Sequence, residues 1–211
     1  MPRDPVLKYV RRIRRPVFTT REVAALSGKT PSAATQGLNY LTRLGVLVKI
    51  RRGLWAEAGN DRLSPLAIVP YIVPGHRAYV SFVSALHFRG VIEQIPHVIT
   101  VASTAHSKTI RTPLGTYRIH RISPEFFSGF DWYGKGRDVL MASPEKALVD
   151  SLYLSAHRKK QYRFFPELRF PASFSFKRAE GWARRIPSPR TRTRVLKELE
   201  RLKTDRRRFA S

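Results

Sequence analysis

The chain has no cysteine, which excludes disulfides, a thiolate nucleophile and any zinc site built on sulfur. Long apolar runs are missing too. The longest, residues 67–73, is interrupted by Pro70 and followed by Pro74, well short of a membrane span. The first residues, Met1-Pro2-Arg3-Asp4-Pro5, lack the apolar segment of a secretory signal. Together these absences point to a cytoplasmic protein with no membrane partner. Neither a Walker-type loop nor a Gly-x-Gly-x-x-Gly occurs, so no nucleotide or other cofactor is implied. The histidines are His76, His87, His97, His106, His120 and His157; no two of them have metal-ligand helical spacing, and no metal site is expected.

Acidic residues are scarce as well, 15 Asp and Glu against 40 Lys and Arg, for a formal charge of +25. The excess sits at the two ends. Residues 1–65 carry 13 basic and 4 acidic side chains, residues 66–156 carry 9 and 6, and residues 157–211 carry 18 and 5. Self-repulsion on this scale works against compactness unless an acidic partner relieves it, and nucleic acid is the commonest such partner. With 211 residues, 42% of them hydrophobic, the chain can build one large core or two small ones.

Residues 4–60 have the pattern of a winged helix-turn-helix. Asp4-Pro5 is a cap followed by proline at the first helical position, and Val6, Val10 and Ile13 form one buried stripe opposite Arg11, Arg12, Arg14 and Arg15. After Pro16 and the extended residues 17–20, Thr20 is expected to cap a second helix over 21–26, with Val23 and Leu26 inward. Ser27-Gly28-Lys29 is the turn, and Thr30-Pro31 repeats the cap-plus-proline start. The third helix should run to Leu44, with Ala34, Leu38, Leu41 and Leu44 inside. Its outer face bears Ser32, Thr35, Gln36, Asn39, Tyr40 and Arg43, the short hydrogen-bonding side chains with which a recognition helix meets base edges. Strand 46–50, the turn Arg51-Arg52-Gly53 and strand 54–56 make a two-stranded wing with arginine at its tip. The expected contacts to double-stranded DNA are Ser32, Thr35, Gln36 and Asn39 on bases, Lys29 and Arg43 on flanking phosphates, and Arg51 and Arg52 on backbone or minor groove.

A polar connector at 60–65 separates this module from residues 66–156. There a helix capped by Ser81 should end at Gly90, strands are expected at 97–102 and 138–141, and a hairpin turns at Pro113-Leu114-Gly115. A helix begins at Ser143-Pro144-Glu145, in which Lys146 can pair with Asp150. His87 reads as a packed, satisfied core histidine. The fold class is therefore α+β, a winged helix-turn-helix followed by a mixed domain with a basic helical tail. In that tail, residues 157–211, aromatic and basic residues alternate over 162–166 and 170–176. A final helix over 191–209 puts Val195, Leu199 and Leu202 on one stripe, with Arg194/Glu198 and Glu198/Arg201 as surface pairs. The tail is expected to pack on the middle domain.

Three stretches carry a resemblance: the wing block at 44–55, residues 79–92 with the following Pro96, and Ala142-Ser143-Pro144-Glu145-Lys146-Ala147-Leu148-Val149-Asp150. In that order they resemble the AbiEi family of bacterial transcriptional-regulator antitoxins, over about residues 6–154. The resemblance implies a DNA-binding first domain that represses its own operon, through an inverted repeat in its promoter. It also implies an antitoxin-type second domain that neutralises a nucleotidyltransferase toxin in a type IV pair, with or without direct contact.

Two other readings compete. A metal-dependent nuclease targeted by the winged helix would hold a divalent ion on Asp131, Asp138 and Glu145 around Lys146. An RNA-binding regulator would use the aromatic and basic side chains of 162–176.

Overall fold

The computed structural model describes residues 5–134, 139–157 and 167–209. Asp4, Asp138 and the aromatic-basic stretch 162–166 lie outside the described residues. The chain divides into two compact units, residues 1–71 with 111–115, and residues 72–110 with 116–211. The whole is α+β.

In the first unit α1 (Pro5–Ile13), β1 (Val17–Thr19), α2 (Thr20–Ser27), α3 (Pro31–Arg43), β2 (Leu47–Arg51) and β3 (Leu54–Glu57) follow in order. The wing is three-stranded, not two-stranded. Residues 17–19 pair antiparallel with β3, giving the order β1-β3-β2. Three residues are too few to announce a strand by alternation; β1 exists because β3 offers it an edge. The core gathers Val6 and Val10 from α1, Val23 and Ala24 from α2, and Ala34, Leu38 and Leu41 from α3 over Phe18, Leu47 and Trp55. A Cβ on Gly37 would lie 2.5 Å from Val6 Cγ2, so the absence of a side chain there sets how closely α1 and α3 approach.

The cap of α2 is Thr19, not Thr20. Glu22 N–H donates to Thr19 Oγ1 (3.3 Å) while the Glu22 carboxylate accepts from Thr19 N–H (2.7 Å), a reciprocal capping box. Thr20 is instead buried, and its hydroxyl accepts from Trp55 Nε1–H at 2.8 Å, a partner 35 residues away. Leu26 and Leu44 are also not inside, being 42% and 57% exposed. The inner face of α2 runs through Thr20, Val23 and Ala24 and leaves Leu26 on its flank. Leu44 is already the C-cap residue of α3, beyond the helical stripe. There Gly45, at φ +71°, lets Val46 N–H reach Leu41 O (3.0 Å) and Gly45 N–H reach Thr42 O (3.0 Å), and Val46 and Leu47 enter the core in Leu44's place.

Burial raises the pKa of Glu22, but the Thr19 N–H and the ion pair with Arg15 outweigh it and hold the carboxyl below its ordinary 4.5. A depressed folded-state pKa stabilises above the unfolded value, and that contribution is lost as pH falls through the folded one. Glu22→Gln should therefore melt below wild type at pH 7, and the gap should narrow on acidification below about pH 4.5. A gap independent of pH in thermal melts would contradict this role.

After the first six elements the chain forms a six-stranded mixed sheet ordered β6-β7-β5-β4-β9-β8. Its strands are β4 (Ala78–Val80), β5 (Ile99–Ser103), β6 (Lys108–Thr112), β7 (Gly115–Arg121), β8 (Phe130–Tyr133) and β9 (Val139–Ala142). A short helix, α4 (Val69–Ile72), precedes β4. The sequence reading passes over β4 and β8: three wholly buried residues and four flanked by turns show no periodicity. Helices α5 (Phe82–Phe88) and α6 (Pro144–Ala156) pack on each other. Then α7 (Phe176–Arg184), which the sequence reading also passes over, and α8 (Pro189–Phe209) pack together and on α6. Val195 and Leu199 are buried as the α8 stripe requires. Glu198 is engaged by Arg201, whereas the Arg194 pairing is not formed.

Ser81 precedes α5 but makes no capping hydrogen bond. Its hydroxyl donates to Asp150 Oδ2 at 2.6 Å, beside Tyr79 Oη–H at 2.9 Å. Asp150 Oδ1 accepts from Lys146 Nζ, which lies 3.1 Å from Tyr79 Oη and 3.6 Å from the Phe126 ring centre. All four polar residues are fully buried. Burial lowers the Lys146 pKa despite Asp150, and raises that of Tyr79 well above its usual value. His87 is half-buried against Phe88, and its Nδ1 has no hydrogen-bond partner among the described residues, so it is packed but not satisfied as expected.

Candidate nucleic-acid interface

The outer face of α3 follows from its inner one. With Ala34, Leu38 and Leu41 fixed in the core, 100° per residue sends Ser32, Gln36, Asn39 and Arg43 to the opposite side as a continuous stripe. Ser32, Gln36 and Arg43 are exposed, and Asn39 is half-buried. Over this span the helix rises roughly 16 Å, enough to lie along a major groove roughly 12 Å wide. Thr35 is also half-buried, and its hydroxyl donates back to Pro31 O at 2.7 Å, which restrains it. Lys29 is exposed on the α2–α3 turn. The start of α3 is capped by Thr30 Oγ1, which accepts from Ala33 N–H at 3.2 Å. Arg43 lies 6.0 Å from the ring of the exposed Tyr40.

The wing turn at Arg52-Gly53 uses the φ of +76° at Gly53, and Gly53 O accepts from Thr20 N–H at 3.0 Å. The tip is thereby tied to α2. Arg52 is exposed there and Arg51 half-buried. The register of the β2–β3 ladder shifts between Lys49 and Arg51, just before the turn.

The sequence reading omitted Lys49. Exposed on β2, it stands 5.1 Å from the Trp55 ring and donates a long 3.5 Å hydrogen bond to Asn39 Oδ1. It thus bridges helix stripe and wing. The alternation of β2 gives no signal for it, since Leu47, two residues before, is buried and the register is irregular between Lys49 and Arg51.

The helix stripe and the arginine wing define a winged helix-turn-helix, a class of module that docks on duplex DNA through its recognition helix and wing. Residues 6–58 match the family described as "Transcriptional regulator, AbiEi antitoxin", which bears out the resemblance carried by the wing block. The match ends before residues 79–92 and 142–150. No curated protein matches the chain.

Elsewhere, no group of three or more His, Asp or Glu side chains able to hold a metal ion occurs among the described residues. Glu145 is buried and held by Arg178 (Nε 3.0 Å, Nη2 2.8 Å), while Asp131 accepts from the Trp132 N–H. Phe170, Phe174 and Phe176 pack on one another in tilted and edge-to-face contacts, with ring centres 4.6–5.2 Å apart. Among the described residues no helix is long and apolar enough to cross a membrane.

Proposed function

We propose that this protein is a cytoplasmic DNA-binding autorepressor and the antitoxin of a type IV pair whose toxin is a nucleotidyltransferase. The observation that carries the reading is the α3 stripe beside an arginine wing, inside the segment that matches the antitoxin-regulator family. Ser32, Thr35, Gln36 and Asn39 read base edges of an inverted repeat in its own promoter, Lys29 and Arg43 hold flanking phosphates, and Arg51, Arg52 and Lys49 hold the adjacent backbone. The first unit carries repression and the second carries neutralisation. No catalysis is assigned. Glu145 is committed to Arg178, and the Ser81, Lys146 and Asp150 cluster is sealed from solvent. Within 170–176 the rings of Phe170, Phe174 and Phe176 are engaged with one another edge to face or tilted, which speaks against their use as a stacking platform for RNA bases.

The test has two arms. The protein should retard its own upstream DNA in a gel shift, and co-expression should relieve growth arrest caused by a nucleotidyltransferase encoded beside it. Binding without relief would leave a repressor and remove the antitoxin role. Cleavage of nucleic acid with magnesium would replace both.

A further inference from the structure

A cavity of about 600 Å³, a size that suits a small organic ligand, is lined by Phe88, Tyr133 and Trp182 together with Arg89, Glu145 and Arg178. All six belong to the second unit. Three aromatic side chains on one cavity offer flat apolar faces, and Phe88 is left 39% exposed. Trp182 is fixed in place: a Cβ on Gly129 would lie 3.0 Å from its Cζ2, and Arg185 stands 4.5 Å from its ring.

The polar groups on the walls are not all spent on the protein. Glu145 is only 2% exposed, yet every donor that reaches its carboxylate among the described residues is on Oε1. These are Ser175 N–H at 3.1 Å, Arg178 Nε–H at 3.0 Å and Arg178 Nη2 at 2.8 Å. Oε2 accepts nothing there and is not sealed in the protein, so it opens on the cavity. Buried carboxylates are normally satisfied on both oxygens. Arg178 takes up the charge of Glu145, so what remains is an acceptor and not a free anion. Arg89 is half-buried, with its Nε–H on Ala142 O at 3.2 Å and its guanidinium 4.9 Å from the Tyr133 ring. It has no carboxylate partner among the described residues. The walls thus combine flat faces, one acceptor and one uncompensated positive charge.

We propose that this cavity binds a nucleotide whose base carries an exocyclic amino group. The base stacks on the aromatic side chains, its amino group donates to Glu145 Oε2, and Arg89 holds the phosphate. A lone phosphate would leave the rings and Glu145 Oε2 unused. The nucleotide is either free or an unstacked residue of a single strand. The site is remote in sequence from the winged helix and does not depend on the operator reading.

The full chain is titrated by calorimetry with AMP, adenosine, UMP and a short oligodeoxyadenylate. AMP should bind most tightly of the three small ligands, because adenosine lacks the anion and uracil presents a carbonyl on either side of its N–H. Arg89→Gln should lower AMP affinity about tenfold and leave adenosine where it was. Glu145→Gln puts an amide donor in the place of Oε2 and should erase the preference for AMP over UMP, a ratio that partial unfolding would not change. Phe88→Ala, at an exposed ring, should weaken every ligand about tenfold. If the source is a free nucleotide, AMP binds at least as tightly as the oligonucleotide. If it is a strand, the oligonucleotide binds more tightly than AMP and responds to the same three substitutions. No binding of either, or binding indifferent to all three substitutions, would overturn the proposal.

Discussion

Asp150→Ala is expected to cost the second unit about 3–5 kcal/mol, a large part of the ~5–15 kcal/mol that holds a typical domain together. The carboxylate is fully buried and accepts from Ser81, Tyr79 and Lys146. Its removal leaves an ammonium without a counter-charge, plus two hydroxyls without an acceptor, in a space water does not reach. The loss is thus mainly the penalty of stranded groups, and the net worth of the pair is smaller. That distinction is measurable. Lys146→Met together with Asp150→Leu removes both charges and should cost clearly less than Asp150→Ala alone, a coupling seen in urea melts. Trp132 and Trp182 lie in the second unit and report its unfolding, whereas Trp55 reports the first. An Asp150→Ala melt within about 0.5 kcal/mol of wild type would show that the clasp is not what holds β4, α5 and α6 together.

The same clasp explains what the sequence made visible and what it hid. Residues 79–92 and 142–150 stood out as separate stretches, and the i,i+4 spacing of Lys146 and Asp150 suggested a pair. In the fold the stretches are two halves of one buried network, joined across 69 residues by Ser81 and Asp150. No local rule gives that contact. Ser81 has every feature of an N-cap, and tertiary demand for a donor on Asp150 takes its hydroxyl elsewhere. Thr19 and Thr20 repeat the lesson. Either threonine can cap α2, and the choice is settled by Trp55, which needs a buried acceptor for its indole N–H. Signals confined to a few residues read correctly: Thr30-Pro31 opens α3, Gly45 ends it, and Gly53 turns the wing. The outer stripe of α3 was legible for the same reason, because its position is the complement of a strong apolar period. Lys49 was not, since its meaning depends on a helix ten residues away in sequence.

Gln36 and Arg52 should fail in different ways, and the difference tests how the module sits on DNA. Gln36 is exposed at the centre of the α3 stripe, so truncating it leaves the core of Ala34, Leu38 and Leu41 untouched. A glutamine reads adenine by two hydrogen bonds, and Gln36→Ala should cost ~1–3 kcal/mol of discrimination at one base pair. Non-operator affinity and salt dependence should stay as they are. Arg52 is exposed at the wing tip, where a contact to the sugar-phosphate backbone carries no sequence information. Arg52→Ala should weaken operator and random duplex alike and flatten the log–log salt slope by about 0.9. Gel shifts against a set of single-base operator variants, at several salt concentrations, measure both quantities. An unchanged salt slope in Arg52→Ala together with unchanged discrimination in Gln36→Ala would take this face off the DNA. The reverse assignment, with Gln36 altering the slope and Arg52 one base position, would mean that the wing enters a groove while the helix rides the backbone. The tie between Gly53 and Thr20 argues for the first assignment, because it holds the arginine tip against the frame of α2 while α3 alone presents side chains short enough to read bases.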